Sequence, residues 1–321
     1  MMGMMVIALE YLLCDDAKLS NNTFGYEVKL MLLEGKNVII TGAGRGIGKS
    51  VALACAKEGA NLGLVSRTQE ELQATKEEIE GLGTGVNVAP CTADVTNFEE
   101  LKTAFEEIAG ELGPINGVVA NAGASSKKET HEFEPEEFAR IMNTNVLGVF
   151  NTFKAAYPLL KKDDKKDKAR FIITGSAAYP NAMPKFAAYT ASKWAVAGFQ
   201  KALSMEYASE AITFNIILPM MVDTRLSRGH KAGDGQKPET FMDPSDLDPY
   251  YLFFLSEEGN KASDMHVDVS EMEKVRKIID EAPEEAKANY DAFKDYLAQV
   301  NASLAQNTRT AKKLIEFFLT R

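Results

Sequence analysis

Histidine and cysteine are scarce in this chain, with three of each in 321 residues. Cys14, Cys55 and Cys91 are odd in number and widely spaced, which supports neither a disulfide framework nor a cysteine zinc site. His131, His230 and His266 stand apart, which argues against a histidine metal centre or a Ser-His-Asp triad, and no metal is assigned. Basic residues are outnumbered too: 36 Lys and Arg against 46 Asp and Glu leave a net charge of −10. The densest lysine run, Lys161 to Lys168, is broken by Asp163, Asp164 and Asp167 and reads as a solvated loop, so no nucleic-acid partner is expected. Long apolar runs are missing. Met4 to Leu13 is short, contains Glu10 and precedes the first basic residue, Lys18, which suits neither a signal peptide nor a membrane span. The expectation is a soluble, cytoplasmic protein with no membrane partner.

Hydrophobic residues make up 45% of the chain and charged residues 26%, enough apolar surface for a large core. Length alone suggests about two domains, but the pattern after Leu32 points elsewhere. Short apolar runs at Asn37–Thr41, Asn61–Val65, Asn87–Pro90, Gly117–Ala120, Phe171–Thr174 and Ile212–Leu218 alternate with amphipathic stretches near 46–58, 68–81, 97–111, 135–160 and 188–209. That alternation predicts an α/β fold, a doubly wound parallel sheet with helices on both faces. Residues 1–30 precede it, and Met31 resembles a start. Residues 271–321 carry one apolar stripe, Tyr290, Phe293, Leu297, Val300 and Leu304, expected to pack on the body or on a partner subunit.

The first strand leads into Thr41-Gly42-Ala43-Gly44-Arg45-Gly46-Ile47-Gly48 and then a helix. Glycines there let the backbone approach a pyrophosphate, and the helix N-terminus offers N–H donors. The second strand ends at Ser66-Arg67, where an NAD site would usually place an acid for the ribose hydroxyl. Arg67, with Arg45, can instead pair with a 2′-phosphate, favouring NADP(H); an Arg67 lying over the adenine would still admit NAD(H). Asp94-Val95 follows the third strand, a carboxylate for the adenine amino group, and Asn121-Ala122-Gly123 follows the fourth. The sharpest signal is Tyr189-Thr190-Ala191-Ser192-Lys193, preceded thirteen residues earlier by Ser176. Tyr189 and Lys193 share a helix face, so an ammonium beside the phenol is expected to lower the tyrosine pKa and make it a proton donor and acceptor.

Together these motifs resemble the short-chain dehydrogenase/reductase family over Met31 to Ser270. The resemblance implies a single Rossmann-type domain with an extension at each end. It implies that Tyr189 is the general acid/base, that Lys193 tunes it and binds the nicotinamide ribose, and that Ser176 orients the substrate oxygen. Asn145, in Asn145-Val146-Leu147-Gly148, matches the asparagine that shapes its helix and holds a relay water. Pro219, Val222 and Thr224 match the segment that contacts the nicotinamide.

The chain departs from the family at Met220, which replaces a glycine, and at Tyr179, where many relatives carry one. Met220 and Met221 read equally as pocket surface or as core. Tyr179, Met183 and Phe186 are candidate pocket residues. Residues 225–250 resemble a substrate lid, with Phe241, Met242, Tyr250 and Tyr251 as candidate walls. The expected activity is reversible hydride transfer between a nicotinamide and a ketone or secondary alcohol, with a steroid or similar bulky apolar substrate as the leading choice. A 3-oxoacyl-[acyl-carrier-protein] reductase is the alternative enzyme, which the acidic balance does not favour. A nicotinamide-sensing regulatory protein is the alternative of another class, against which the complete Asn-Ser-Tyr-Lys set counts. A homo-oligomer, tetramer or dimer, is expected, although the Val267-Asp268-Val269-Ser270 ending puts the usual interface of C-terminal segments in doubt.

Overall fold

A computed structural model describes residues 31–160, 166–301, 304 and 312–320. The N-terminal extension, Cys14 and the lysine-rich run from 161 to 165 lie outside the described residues. Seven parallel strands form one sheet: β1 Asn37–Thr41, β2 Asn61–Ser66, β3 Val88–Thr92, β4 Gly117–Ala120, β5 Ala169–Thr174, β6 Ile212–Leu218 and β7 His266–Asp268. Their order is β3-β2-β1-β4-β5-β6-β7, so the winding reverses between β1 and β4 and opens a crevice at their C-terminal ends. The last strand, β7, pairs with β6 and extends the six that the apolar runs predict.

Alternate strand residues enter opposite layers, as a pleat requires. Val38 and Ile40 belong to one core, Ile39 to the other. On the second face lie α3 Phe98–Leu112, α5 Gly148–Leu160 and α6 Ala187–Glu206, through Phe105, Phe153 and Leu203 among others. On the first lie α1 Gly46–Lys57 and α2 Gln69–Glu80. The stretch expected as one helix over 135–160 is α4 Pro135–Met142 and α5 joined by a wide π-turn, Asn143–Leu147. Such a turn displaces one residue from the helical ladder and often marks a functional position.

The proposed lid is only partly a lid. After α7 Arg225–Arg228 and two short 3₁₀ turns, its last residues enter α8 Asp248–Leu255. Tyr250 and Tyr251 are wholly buried in the first core, so they are not pocket walls. The last six residues of α8, Tyr250-Tyr251-Leu252-Phe253-Phe254-Leu255, are apolar on every side and have nowhere to go but inside. Met242 is held instead by backbone pairing with Met221.

The tail continues as α9 Val269–Glu281, α10 Glu284–Lys287, α11 Tyr290–Val300 and α12 Lys312–Leu319. Phe293, Leu297 and Leu304 join the same core as Phe253 and Phe254, so the stripe packs on its own body. Val300 is the exception, half-exposed at the end of α11.

Candidate active site

The crevice holds a cavity of about 550 Å³. Gly42, Arg45, Gly46 and Ile47 line it from the glycine turn, Ser66 and Arg67 from the end of β2, and Asp94 and Val95 from beyond β3. Asn121, Ala122 and Gly123 come from beyond β4, Ser176 and Met183 from beyond β5, Tyr189 and Lys193 from α6, and Pro219, Met220, Val222 and Thr224 from beyond β6. Nearly all residues predicted from sequence therefore meet around one space. Gly48, Asn145 and Tyr179 do not line it.

Each exception has a physical reason. A Cβ on Gly48 would lie 2.3 Å from the Gly42 carbonyl oxygen, so this glycine lets α1 press against the back of the turn. Gly42 itself has φ +69°, a conformation that a side chain disfavours. Asn121 locks the turn: its Nδ2 donates to the carbonyls of Thr41 at 3.0 Å and Gly42 at 3.3 Å. The helix α1 starts without a side-chain cap, leaving its first amides to serve the cavity.

Tyr179 turns away from the cavity. Its ring packs edge-on against Trp194 at 4.9 Å and against His266 at 5.5 Å. Met220 and Met221 resolve the other way, since both line the cavity and Met220 is well exposed.

Around Tyr189 the groups interlock. The Ser176 side chain lies near enough to the Tyr189 hydroxyl to favour the ionised phenol. Lys193 Nζ stands 5.4 Å from the Tyr189 ring centroid and donates to the Thr174 carbonyl at 2.9 Å. Burial pushes the Tyr189 phenol above its usual range, and the neighbouring Ser176 offsets only part of that. The expected lowering by Lys193 is therefore not what the pair shows. The ammonium points at a carbonyl, and burial penalises a phenolate more than Ser176 favours it. Burial likewise pushes Lys193 down to about 8.

Asn145 works from behind, in the π-turn. Its Oδ1 accepts from the Ala124 amide at 2.7 Å, and its Nδ2 donates to the Ala124 carbonyl at 2.9 Å and to Ser192 Oγ at 2.8 Å. Ser192 donates in turn to the Tyr189 carbonyl at 2.7 Å. This clasp ties the β4 loop to the first turns of α6. Ser192 sits inside the Tyr-to-Lys motif but carries no role in the sequence reading.

The cations at the other end are already engaged. Arg67 pairs with Asp94 at 3.5 Å. Partial burial works against the Asp94 charge, but the Thr96 amide and hydroxyl and Arg67 outweigh it and hold the carboxyl below its usual range. Arg45 pairs with Glu71 at 2.7 Å, and so does Arg225 at 3.0 Å. No motif marks Glu71 or Arg225, yet both line the cavity, as do Phe186 and Leu226.

A family profile for short chain dehydrogenase matches residues 36–234. A 3-dehydrosphinganine reductase of Arabidopsis thaliana is 33% identical over 189 residues, 59% of this chain and 56% of that protein, so the chain spans little more than half of that relative's length. A 3beta-hydroxysteroid dehydrogenase of Mediterraneibacter gnavus is 32% identical over 198 residues, 61% of this chain and 70% of that protein. Among solved structures, a 3-ketoacyl-(acyl-carrier-protein) reductase from Brucella melitensis complexed with NADH superimposes with a TM-score of 0.67 at 29% identity, covering 74% of this chain and 97% of that one.

Proposed function

The chain belongs to the short chain dehydrogenase family, and from that premise we propose that it is a nicotinamide-dependent reductase of bulky apolar ketones, run reversibly against the secondary alcohol. The observation that carries this reading is that Ser176, Tyr189 and Lys193, the last one helical turn beyond Tyr189, line a single cavity walled by Met183, Phe186, Met220, Met221 and Leu226.

The residues present fit a dinucleotide. The glycine turn and the uncapped start of α1 offer amides for a pyrophosphate, and Asp94 and Val95 would hold the adenine end. Arg67 and Arg45 would meet a 2′-phosphate, which is the basis for favouring NADP(H) while admitting NAD(H). Bound nicotinamide supplies the hydride.

The chain's own residues handle the proton and the positioning. Ser176 polarises the substrate oxygen, and Tyr189, kept protonated by its burial, donates to it. Lys193, fixed by the Thr174 carbonyl, would hold the ribose of a bound dinucleotide. The clasp through Asn145 and Ser192 keeps the first turns of α6 in register with the β4 loop.

Steroids are our first choice of substrate, because a wall of three methionines with Phe186 and Leu226 suits a flat apolar body better than a sugar. The exposed Phe150, Trp194 and Met205 on α5 and α6 further support assembly into a homo-oligomer. The test follows oxidation of NADPH and of NADH with ketosteroids, 3-dehydrosphinganine and acetoacetyl thioesters. Turnover with the bulky apolar ketones is expected; turnover with thioesters alone overturns the substrate reading.

A further inference from the structure

Glu71, in the first turn of α2, bridges two arginines from separate segments of the chain. Arg45 belongs to the glycine turn, and Arg225 begins the segment after β6, 154 residues from Glu71. Both arginines are more than half-exposed, whereas Glu71 is only 23% exposed. A Cβ placed on Gly44 would fall 3.3 Å from Glu71 Oε2 and 3.2 Å from Ser66 Oγ. Carboxylate and hydroxyl thus lie together against the glycine turn at the end of β2, where the ribose hydroxyls or a 2′-phosphate would be recognised.

We propose that Glu71 is a specificity-determining residue: its carboxylate occupies Arg45 and Arg225 in place of a phosphate, and so sets how strongly the site favours a 2′-phosphorylated dinucleotide. This rests on the dinucleotide reading given above. Carboxylate and phosphate compete for the same guanidinium groups. Exposed arginine–carboxylate pairs are weak because water screens them, so a phosphate dianion, bound bidentately, displaces the carboxylate. Displacement is incomplete in its benefit, since Glu71 remains tethered nearby and repels the incoming charge. The arginine at the glycine turn is therefore restrained, and discrimination between the two dinucleotides is weaker than Arg45 and Arg67 alone imply.

Calorimetric titration of the full chain with 2′,5′-ADP and with 5′-AMP tests this without turnover. Glu71→Gln keeps the side-chain shape and removes the charge. It should tighten 2′,5′-ADP by about tenfold and leave 5′-AMP within about twofold, and Arg225→Gln added to it should reverse much of the gain. Unchanged or weaker 2′,5′-ADP binding in Glu71→Gln overturns the proposal, because the carboxylate would then be orienting the arginines. If that variant does not fold, Arg225→Gln alone decides: weaker 2′,5′-ADP with unaltered 5′-AMP supports the competition, and no change overturns it. A native chain that binds neither probe nor NADH nor NADPH refutes the dinucleotide reading itself, and this proposal with it.

Discussion

Lys193 Nζ donates to the main-chain carbonyl of Thr174 at 2.9 Å. The hydroxyl of the same threonine lies 2.7 Å from that of Tyr251, a wholly buried residue of α8. The residue that would serve the ribose is thus anchored through β5 to the core helix beneath it. The position of Lys193 is a property of the fold, and its charge is held there at a cost.

That cost is measurable. Burial lowers the Lys193 pKa from 10.5 to about 8, so the folded chain binds this proton less well than the unfolded one. Its contribution destabilises the fold below pH 8 and fades as pH rises from 8 to 10.5. A shift of that size corresponds to about 3 kcal/mol. Lys193→Met should therefore raise stability at pH 7 by about 1–3 kcal/mol while removing activity. Denaturant unfolding at pH 7 and pH 10 checks this; a less stable variant at pH 7 would contradict it.

Asp248 gives an independent pH signature of opposite kind. Burial lifts its carboxyl from 3.8 to about 7 against the hydrogen bond from Ser50, and its Oδ1 is a buried atom with no hydrogen-bond partner. Here the folded chain retains the proton, so stability falls as pH rises from 3.8 through 7. Asp248→Asn should gain about 2–4 kcal/mol at pH 8 and nothing at pH 3.5. An equal gain at both values would show that ionisation is not the cause.

The clasp between Asn145 and Ser192 predicts a split in kinetic effects. Ser192→Ala removes the bonds to Asn145 Nδ2 and to the Tyr189 carbonyl. A displaced Tyr189 should lower kcat by about 10- to 100-fold, with dinucleotide affinity preserved. Equal losses in kcat and affinity would mean general disruption of α6.

The tail is integral to one face of the core. Phe293 is wholly buried in the cluster that contains Phe253 and Phe254. Phe293→Ala should cost about 3–5 kcal/mol in chemical unfolding. A loss under 1 kcal/mol would indicate that α11 contributes little to that core.

Much of this was legible before the fold was seen, because the relevant signals are local. β1, β4 and β6 begin and end where their apolar runs do, at Asn37–Thr41, Gly117–Ala120 and Ile212–Leu218. The glycine turn and the Tyr189–Lys193 pair are each contained in a few consecutive residues. What was not legible depends on distant partners. Glu71 meets Arg225 across the sheet, and no periodicity records that. Tyr250 and Tyr251 read as pocket aromatics because an apolar run near prolines does not say which surface it covers. Tyr179 faces away because Trp194 and His266, from separate elements, offer its ring a better contact. The Tyr189 pKa rises because burial dominates it, and the Tyr-to-Lys spacing displays the ammonium but not the burial.

In the proposed mechanism Tyr189 delivers the proton to the substrate oxygen. Tyr189→Phe keeps the ring and removes only the hydroxyl that lines the cavity with Ser176. A single-turnover measurement of NADPH oxidation with a saturating ketosteroid, paired with NADPH titration, isolates that step. The account predicts a rate lower by about 10²- to 10⁴-fold with NADPH affinity unchanged. Undiminished single-turnover rate in Tyr189→Phe would contradict it.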